Sequence, residues 1–344
     1  MNRKLKSVEL FAGCGGMALG FERAGFHPLL LNDFDKAACN SLKANRPEWN
    51  VIQGDVSKID FEQFQGKDVD LLSGGFPCQS FSYAGKQLGL EDTRGTLFYE
   101  YARALDIIQP KMFVAENVKG LITHDNGNTL KTIISVFEKM GYKVYSPKVL
   151  KAVNYNVPQK RERVFIVGVR SDLKDLIQWD YPTDTTKGDP LTIRDALFAG
   201  RLYDCDVPLS VGSTYNEKKK KVLDLVPPGG WWKDLPKDIQ KEYMMKSFYS
   251  LGGKTGIARR FSWDEPSLTL LCSPAQKQTE RCHPDETRPF TIREYARIQT
   301  FPDDWIFSGS ITNQYKQIGN AVPPNLSEAI GKSIFYALKK HCFS

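Results

Sequence analysis

From Ser7 to Val169 the chain alternates short apolar runs with helical patterns, and the runs end on glycine, an acid or an amide. Ser7 to Phe11 breaks into Ala12-Gly13-Cys14-Gly15-Gly16, and a helical pattern follows from Met17 to Ala24. Leu29 to Leu31 closes on Asn32-Asp33 ahead of a helix from Lys36 to Ala44, and Val51-Ile52 leads to Gly54-Asp55. Val69 to Leu72 runs into Gly74-Gly75-Phe76-Pro77-Cys78-Gln79, with a helix from Leu97 to Ile108. Met112 to Ala115 runs into Glu116-Asn117, with a helix from Thr129 to Met140. Lys143 to Leu150 and Arg163 to Val169 close the series as hairpin-like strands. This order predicts an α/β fold with a doubly wound, mostly parallel sheet. Ligands of such sheets bind beyond the carboxyl ends of the strands, where all these polar endings fall.

The chain is long enough, at 344 residues, for one large domain and a smaller one. A net charge of +7 favours a polyanionic partner. Seven cysteines without a framework suggest reduced thiols, as in a cytosolic protein. Met1-Asn-Arg-Lys-Leu-Lys leads straight into a strand and does not read as a signal peptide. No apolar run reaches the ~18 residues of a membrane span.

Two strand endings carry chemistry. Cys78 follows a buried run and is flanked by glycines and a proline, which is how a nucleophile is presented at a sheet edge. A structural cysteine beside a turn fits the same pattern. A thiol there and the Glu116 carboxyl on another strand end suit covalent catalysis on an electron-poor ring. The loop Gly13-Cys14-Gly15-x-x-Ala18 fits the dinucleotide fingerprint, in which glycines let the backbone approach a ligand at a helix amino terminus. Asp33 suits ribose hydroxyls, Phe34 an adenine face and Asp55 an exocyclic amine. No residue here demands a pyrophosphate, so S-adenosylmethionine fits as well as NAD, and a nicotinamide dehydrogenase is a rival.

Phe11-Ala-Gly-Cys-Gly-Gly16, Gly74-Gly-Phe-Pro-Cys-Gln79-Ser-Phe-Ser82, Asp92-Thr-Arg-Gly-Thr-Leu97-Phe98, Glu116-Asn117-Val118 and Gln159-Lys-Arg-Glu-Arg163 occur in that order. Arg288-Pro-Phe-Thr-Ile-Arg-Glu-Tyr-Ala-Arg-Ile-Gln-Thr-Phe-Pro302 and Gln317-Ile-Gly-Asn320-Ala-Val322-Pro-Pro follow them. The series resembles the ordered motifs of the DNA (cytosine-5) methyltransferases, over residues 7–170 and 287–340. The resemblance implies a Rossmann-like fold of the S-adenosylmethionine-dependent kind. Cys78 would attack carbon 6 of cytosine and Glu116 would act at ring nitrogen 3. Arg163 would reach the base carbonyl and Glu116, while Gln159 and Arg161 support the loop; Arg161 and Arg163 are both placed with the catalytic residues. S-adenosylmethionine would be held by Phe11, Ala12, Gly13, Gly15, Gly16, Asp33, Phe34, Asp55, Val56, Pro77, Leu97, Asn320 and Val322.

The target base must leave the duplex to reach such a pocket. Ser80 to Gly95 reads as a lid over DNA, with Gln79, Ser82, Lys86 and Arg94 in contact with it. From about Trp179 the alternation gives way to irregular segments rich in proline and glycine, similar to the family's target recognition domain. The expected division is residues 1–178 with 287–344 for catalysis and cofactor, and 179–286 for recognition. Within Lys254 to Arg281, the residues Arg259, Arg260, Gln276, Lys277 and Gln278 are candidates for DNA contact. The lysine run Lys218 to Lys221 reads as a solvated helix face. Gly252-Gly-Lys254-Thr255 lacks the spacing of a phosphate loop, and Cys272 with Cys282-His283 lacks a fourth zinc ligand, so no metal is expected.

The expectation is therefore a DNA cytosine-5 methyltransferase, the modification partner of a bacterial restriction system. It would act on double-stranded DNA as a monomer, without contact with its cognate endonuclease, in the cytoplasm and in association with the nucleoid. The tRNA-methylating branch of the family carries a Cys-Phe-Thr tripeptide that is absent here. A non-catalytic DNA-binding relative is disfavoured by the intact Cys78 and Glu116.

Overall fold

The computed structural model describes residues 4–77, 97–249 and 255–342. Its strands are β1 (Leu5–Leu10), β2 (Phe26–Asp33), β3 (Val51–Gln53), β4 (Leu71–Gly74), β5 (Met112–Val118), β6 (Tyr142–Val144), β7 (Lys148–Lys151), β8 (Gln159–Lys160), β9 (Glu162–Arg170) and β10 (Ser267–Leu268). Its helices are α1 (Gly16–Ala24), α2 (Lys36–Asn45), α3 (Leu97–Ile108), α4 (Asn128–Lys139), α5 (Ile193–Leu197), α6 (Glu217–Leu223), α7 (Lys237–Met244), α8 (Ile292–Ile298), α9 (Ile311–Asn320) and α10 (Pro324–Cys342). Among the described residues no helix is long and apolar enough to cross a membrane.

The residues form two compact units, and the first comprises 1–151, 162–184 and 324–344. Its sheet runs β3-β2-β1-β4-β5-β9-β6, with β7 also paired to β9. The five strands from β3 to β5 are parallel, and β9 runs antiparallel to β5, β6 and β7. This is the mostly parallel α/β sheet expected from the alternation. The apolar faces of α3 and α4 bury Phe98, Tyr101, Leu105, Ile133 and Phe137 against Val8, Leu72, Phe113 and Ile166 of the strands. Where one strand was expected from Lys143 to Leu150 there are two. Pro147 lies between them, lacks the amide hydrogen a ladder needs, and breaks the run.

The second unit comprises 152–161 and 185–323. It is mostly irregular, with a core of Tyr215, Leu223, Trp232, Met244, Ile257 and Cys282. Packing draws the boundaries differently from the expected 179–286 segment: residues 287–323 and 152–161 belong with the irregular region. Long-range polar contacts hold them there. The Gln159 amide donates to Gln299 Oε1 at 2.7 Å, the Tyr295 hydroxyl to the Leu271 carbonyl at 2.8 Å, and the Ser213 amide to the Tyr315 hydroxyl at 3.0 Å.

Candidate active site

At the carboxyl ends of β4 and β5, beside the amino end of the antiparallel β9, the chain assembles a buried acid. β4 and β5 are adjacent and parallel, with Gly74 opposite Ala115, so the residues after each strand emerge side by side. On β9, Arg163 opposes Val118, which places it diagonally across from Glu116 on the same face of the ladder. Arg163 Nε meets Glu116 Oε1 at 2.9 Å, and Glu116 is only 9% exposed. Removing the arginine would leave a buried carboxylate without its counter-charge, at a cost of about 3–5 kcal/mol.

The chain leading to Cys78 is fixed against that acid. A Cβ at Gly75 would lie 2.8 Å from Glu116 Oε2, so only glycine lets the backbone pass so close to the carboxylate. Asn117 Nδ2 donates to the Phe76 carbonyl at 2.7 Å. The Phe76 ring packs on Phe98 at 5.3 Å and Tyr101 at 5.6 Å between centroids. Backbone and side chain are thus both anchored two residues before the cysteine, and Pro77 is exposed beyond them. Cys78, Gln79, Ser82, Lys86 and Arg94, with the expected lid from Ser80 to Gly95, lie outside the described residues.

A second group gathers at the ends of β1, β2 and β3. Phe11 (φ 58°), Gly13 (φ 54°) and Gly15 (φ 87°) are all left-handed. For phenylalanine that is strained backbone, of a kind that clusters at ligand sites. The Gly13 and Asp35 amides donate to the two Asp33 oxygens at 2.7 and 2.8 Å. Asn32 Nδ2 bridges the Ile52 and Gly54 carbonyls, tying the ends of β2 and β3 together. Asp55 accepts from the Ser57 amide, which holds its carboxyl below the ordinary value. Phe34 is 77% exposed, an aromatic face open to solvent between these acids. Ala12, Gly16 and Val56 are buried behind them, and Leu97 is half-buried at the start of α3. Carboxylates with acceptor capacity beyond two amides, an open ring and left-handed backbone suit an adenosine-like ligand.

Glu9 is a buried acid at this end of the sheet that sequence reasoning missed, although an acid inside a buried parallel strand was the available signal. It is 2% exposed on β1, level with Ser73 of β4. Ser73 Oγ donates to Glu9 Oε2 at 3.4 Å, and the Ala18 amide at the start of α1 also donates to the carboxyl group. The N-cap of α1 is Gly15, which has no side chain to cap with, and Glu9 supplies an acceptor from below. Glu9 Oε1 is buried without a hydrogen-bond partner, and burial raises the carboxyl pKa to about 8.

In the second unit Arg161 has the loop-supporting contacts expected of it, and Arg260 departs from expectation. Arg161, expected among the catalytic residues, is fully buried and donates to the carbonyls of Gly319, Asn320 and Leu270. Its two terminal nitrogens find their acceptors on backbone, where the side chain braces a loop. Gln159 does the same, accepting from the Leu270 amide. Arg260, expected to touch DNA, is 3% exposed and donates to Leu223, His283 and Pro284 carbonyls and Thr287 Oγ1. Arg259, Gln276, Lys277 and Gln278 remain at least partly accessible. Asn320 is exposed and accepts from the Cys272 thiol at 3.0 Å, and Val322 is buried. Of the lysine run, Lys219 points inward to a buried Glu280 at 2.9 Å, while Lys218 and Lys220 pair at the surface.

Comparison with known proteins gives a consistent answer. The family of C-5 cytosine-specific DNA methylases matches residues 5–336. The chain is 62% identical over 333 residues to the Type II methyltransferase M.Eco47II of Escherichia coli, covering 97% of this chain and 79% of that one. It is 52% identical over 341 residues to the Type II methyltransferase M.Sau96I of Staphylococcus aureus, covering 98% and 77%. Among solved structures, a prophage-encoded DNA modification methyltransferase of E. coli shares the fold at a TM-score of 0.69, with 24% identity over 97% of this chain and 99% of that one. The S. pombe Dnmt2 methyltransferase shares it at 0.61, with 17% identity over 98% and 99%.

Proposed function

Because the chain belongs to the C-5 cytosine-specific DNA methylase family and is a DNA (cytosine-5) methyltransferase, we propose that it methylates a flipped cytosine through a covalent Cys78 adduct assisted by Glu116. The observation that carries this reading is the buried Glu116–Arg163 pair lying against Gly75, on the strand end that continues into Pro77 and Cys78.

Carbon 5 of cytosine is too poor a nucleophile to react unaided. The Cys78 thiolate adds to carbon 6, the ring π electrons shift toward nitrogen 3, and Glu116, once it has taken up a proton from solvent, delivers it there. The ring is now an enamine with electron density at carbon 5. Arg163 holds Oε1 of Glu116 and leaves the carboxyl group oriented with Oε2 toward the cysteine segment. Asn117 and the Phe76 ring keep that segment in register with the acid. When bound, S-adenosylmethionine supplies the methyl group that carbon 5 accepts. Loss of the carbon-5 proton to a base then restores the 5,6 double bond and expels the Cys78 thiolate, while nitrogen 3 returns its proton to Glu116. Asp33 would bind the ribose hydroxyls, Phe34 the adenine face and Asp55 the adenine amine, with Asn320 and Val322 as further cofactor residues. The second unit would read duplex DNA. The names of the relatives support a role beside a restriction endonuclease, with methylation protecting the host sites.

The test is transfer of a labelled methyl group from S-adenosylmethionine to duplex DNA by wild type and Glu116→Gln. Removing a positioned proton donor is expected to lower turnover roughly 100- to 10,000-fold. DNA binding in a gel-shift assay should persist. Normal turnover by the glutamine variant would remove Glu116 from the chemistry.

A further inference from the structure

Within the second unit, the segment from Thr255 to Arg281 carries three arginines, and two are committed internally. Arg260 is held by four acceptors, as described above. Arg281, 5% exposed, donates twice to the Thr269 carbonyl, at 3.2 and 2.9 Å, and once to Glu280. Arg259 differs from both. Its guanidinium has no ion-pair or hydrogen-bond partner among the described residues; its Nε, like that of Arg260, is buried without an acceptor, but its terminal nitrogens have no acceptors either. A second cation lies near it: Arg281, whose pKa is lowered first by burial, is also repelled by Arg259. A guanidinium whose terminal nitrogens have no protein acceptor keeps those donors available to water or to a ligand.

The backbone under Arg259 is fixed on both sides. The Ala258 amide donates to the buried Glu280 carboxylate. The Arg259 carbonyl accepts from the Cys282 amide at 3.0 Å, and the Arg260 amide donates to Gly230 at 3.1 Å. Gly256 packs so tightly that a Cβ there would lie 2.4 Å from the Gln278 carbonyl, in the loop of exposed Gln276 and Gln278. With the stem and Nε held in the protein, the two terminal nitrogens form the outward edge. That edge is a pair of parallel donors. Of the base edges in the major groove, only guanine presents two acceptors, O6 and N7, side by side.

We propose that Arg259 reads a guanine of the DNA recognition site through that donor pair. The proposal rests on the DNA-methylating reading above and extends it to the identity of one base. Bisulfite sequencing of plasmid DNA from cells expressing the wild type first gives the methylated site. Each guanine of that site is then replaced in turn by 7-deazaguanine, which lacks the N7 acceptor, and methylation rates are measured for wild type, Arg259→Ala and Arg259→Lys. At one guanine the deaza substitution is expected to slow the wild type roughly 3- to 10-fold, about half of the ~1–3 kcal/mol carried by a bidentate pair. It should have little effect on either variant. The variants should also accept other bases at that position and no other. The lysine variant keeps the charge, so it separates base reading from mere phosphate attraction. The proposal is overturned if every deaza effect persists in the variants, or if Arg259→Ala slows all sequences equally with a weaker salt dependence, which marks a phosphate contact. A wild type that modifies no duplex DNA would instead refute the underlying reading.

Discussion

Glu9 sets a pH dependence at the level of one residue. In the unfolded chain its carboxyl loses a proton near the ordinary 4.5, whereas in the folded protein burial holds the proton to about 8. Between those values the native state binds one proton more than the unfolded state, so stability falls as pH rises through the window. Below it the contribution is complete. Glutamine keeps the shape of the neutral acid without an ionisation to suppress. Glu9→Gln should therefore be more stable than wild type at pH 8, by an amount on the order of a few kcal/mol, and nearly equal to it at pH 4.5. Urea unfolding at four pH values checks this, and parallel curves for the two proteins would refute it. At this scale the sequence was a partial guide. Residue types gave the strand-end positions of Asp33, Phe34, Asp55 and Glu116. What Arg161 and Arg260 would bond was not legible, because their acceptors are carbonyls at distant positions such as Gly319 and Leu223, which carry no side-chain signature.

Among the elements, α10 bears on the glycine-loop end of the sheet. It packs on α1, the helix that begins at the glycine loop, although the two lie at opposite ends of the chain. The crossing is close because small residues meet there. A Cβ at Gly20 would lie 2.4 Å from Ser327 Cβ and 2.6 Å from both the Glu328 amide nitrogen and the Pro324 carbonyl. Gly20→Ala sets two effects against each other. Alanine favours the helix by about 1 kcal/mol, and overpacking costs typically 1–3 kcal/mol. Backbone atoms are the obstacle here and cannot rotate aside, so the clash should win. The variant should unfold at lower urea and bind S-adenosylmethionine more weakly in calorimetry; an unchanged or raised midpoint would contradict the packing. Helix bounds were largely readable, since α3 occupies the expected residues and α1, α2 and α4 differ at their ends by one residue. β2 begins earlier than expected, at Phe26, because a shift of register between Ser7 and Val8 of β1 accommodates Pro28 within the pair.

Over the whole molecule, the order of motifs along the chain was legible and the grouping of segments was not. Strand–helix alternation encodes a sheet locally, so its residues could be read one after another. Nothing local tells Arg288 to Pro323 that their partners are Ser213, Leu271 and Gln159 rather than the sheet. The account as a whole depends on the thiol that follows Pro77. Duplex DNA carrying 5-fluorocytosine at the methylated position tests it, because fluorine cannot leave as the carbon-5 proton does and the enzyme stays attached after methyl transfer. With S-adenosylmethionine present, wild type should migrate on a denaturing gel as a protein–DNA adduct, and Cys78→Ser should not. An adduct formed equally by the serine variant, or full methylation of ordinary cytosine by it, would contradict the account.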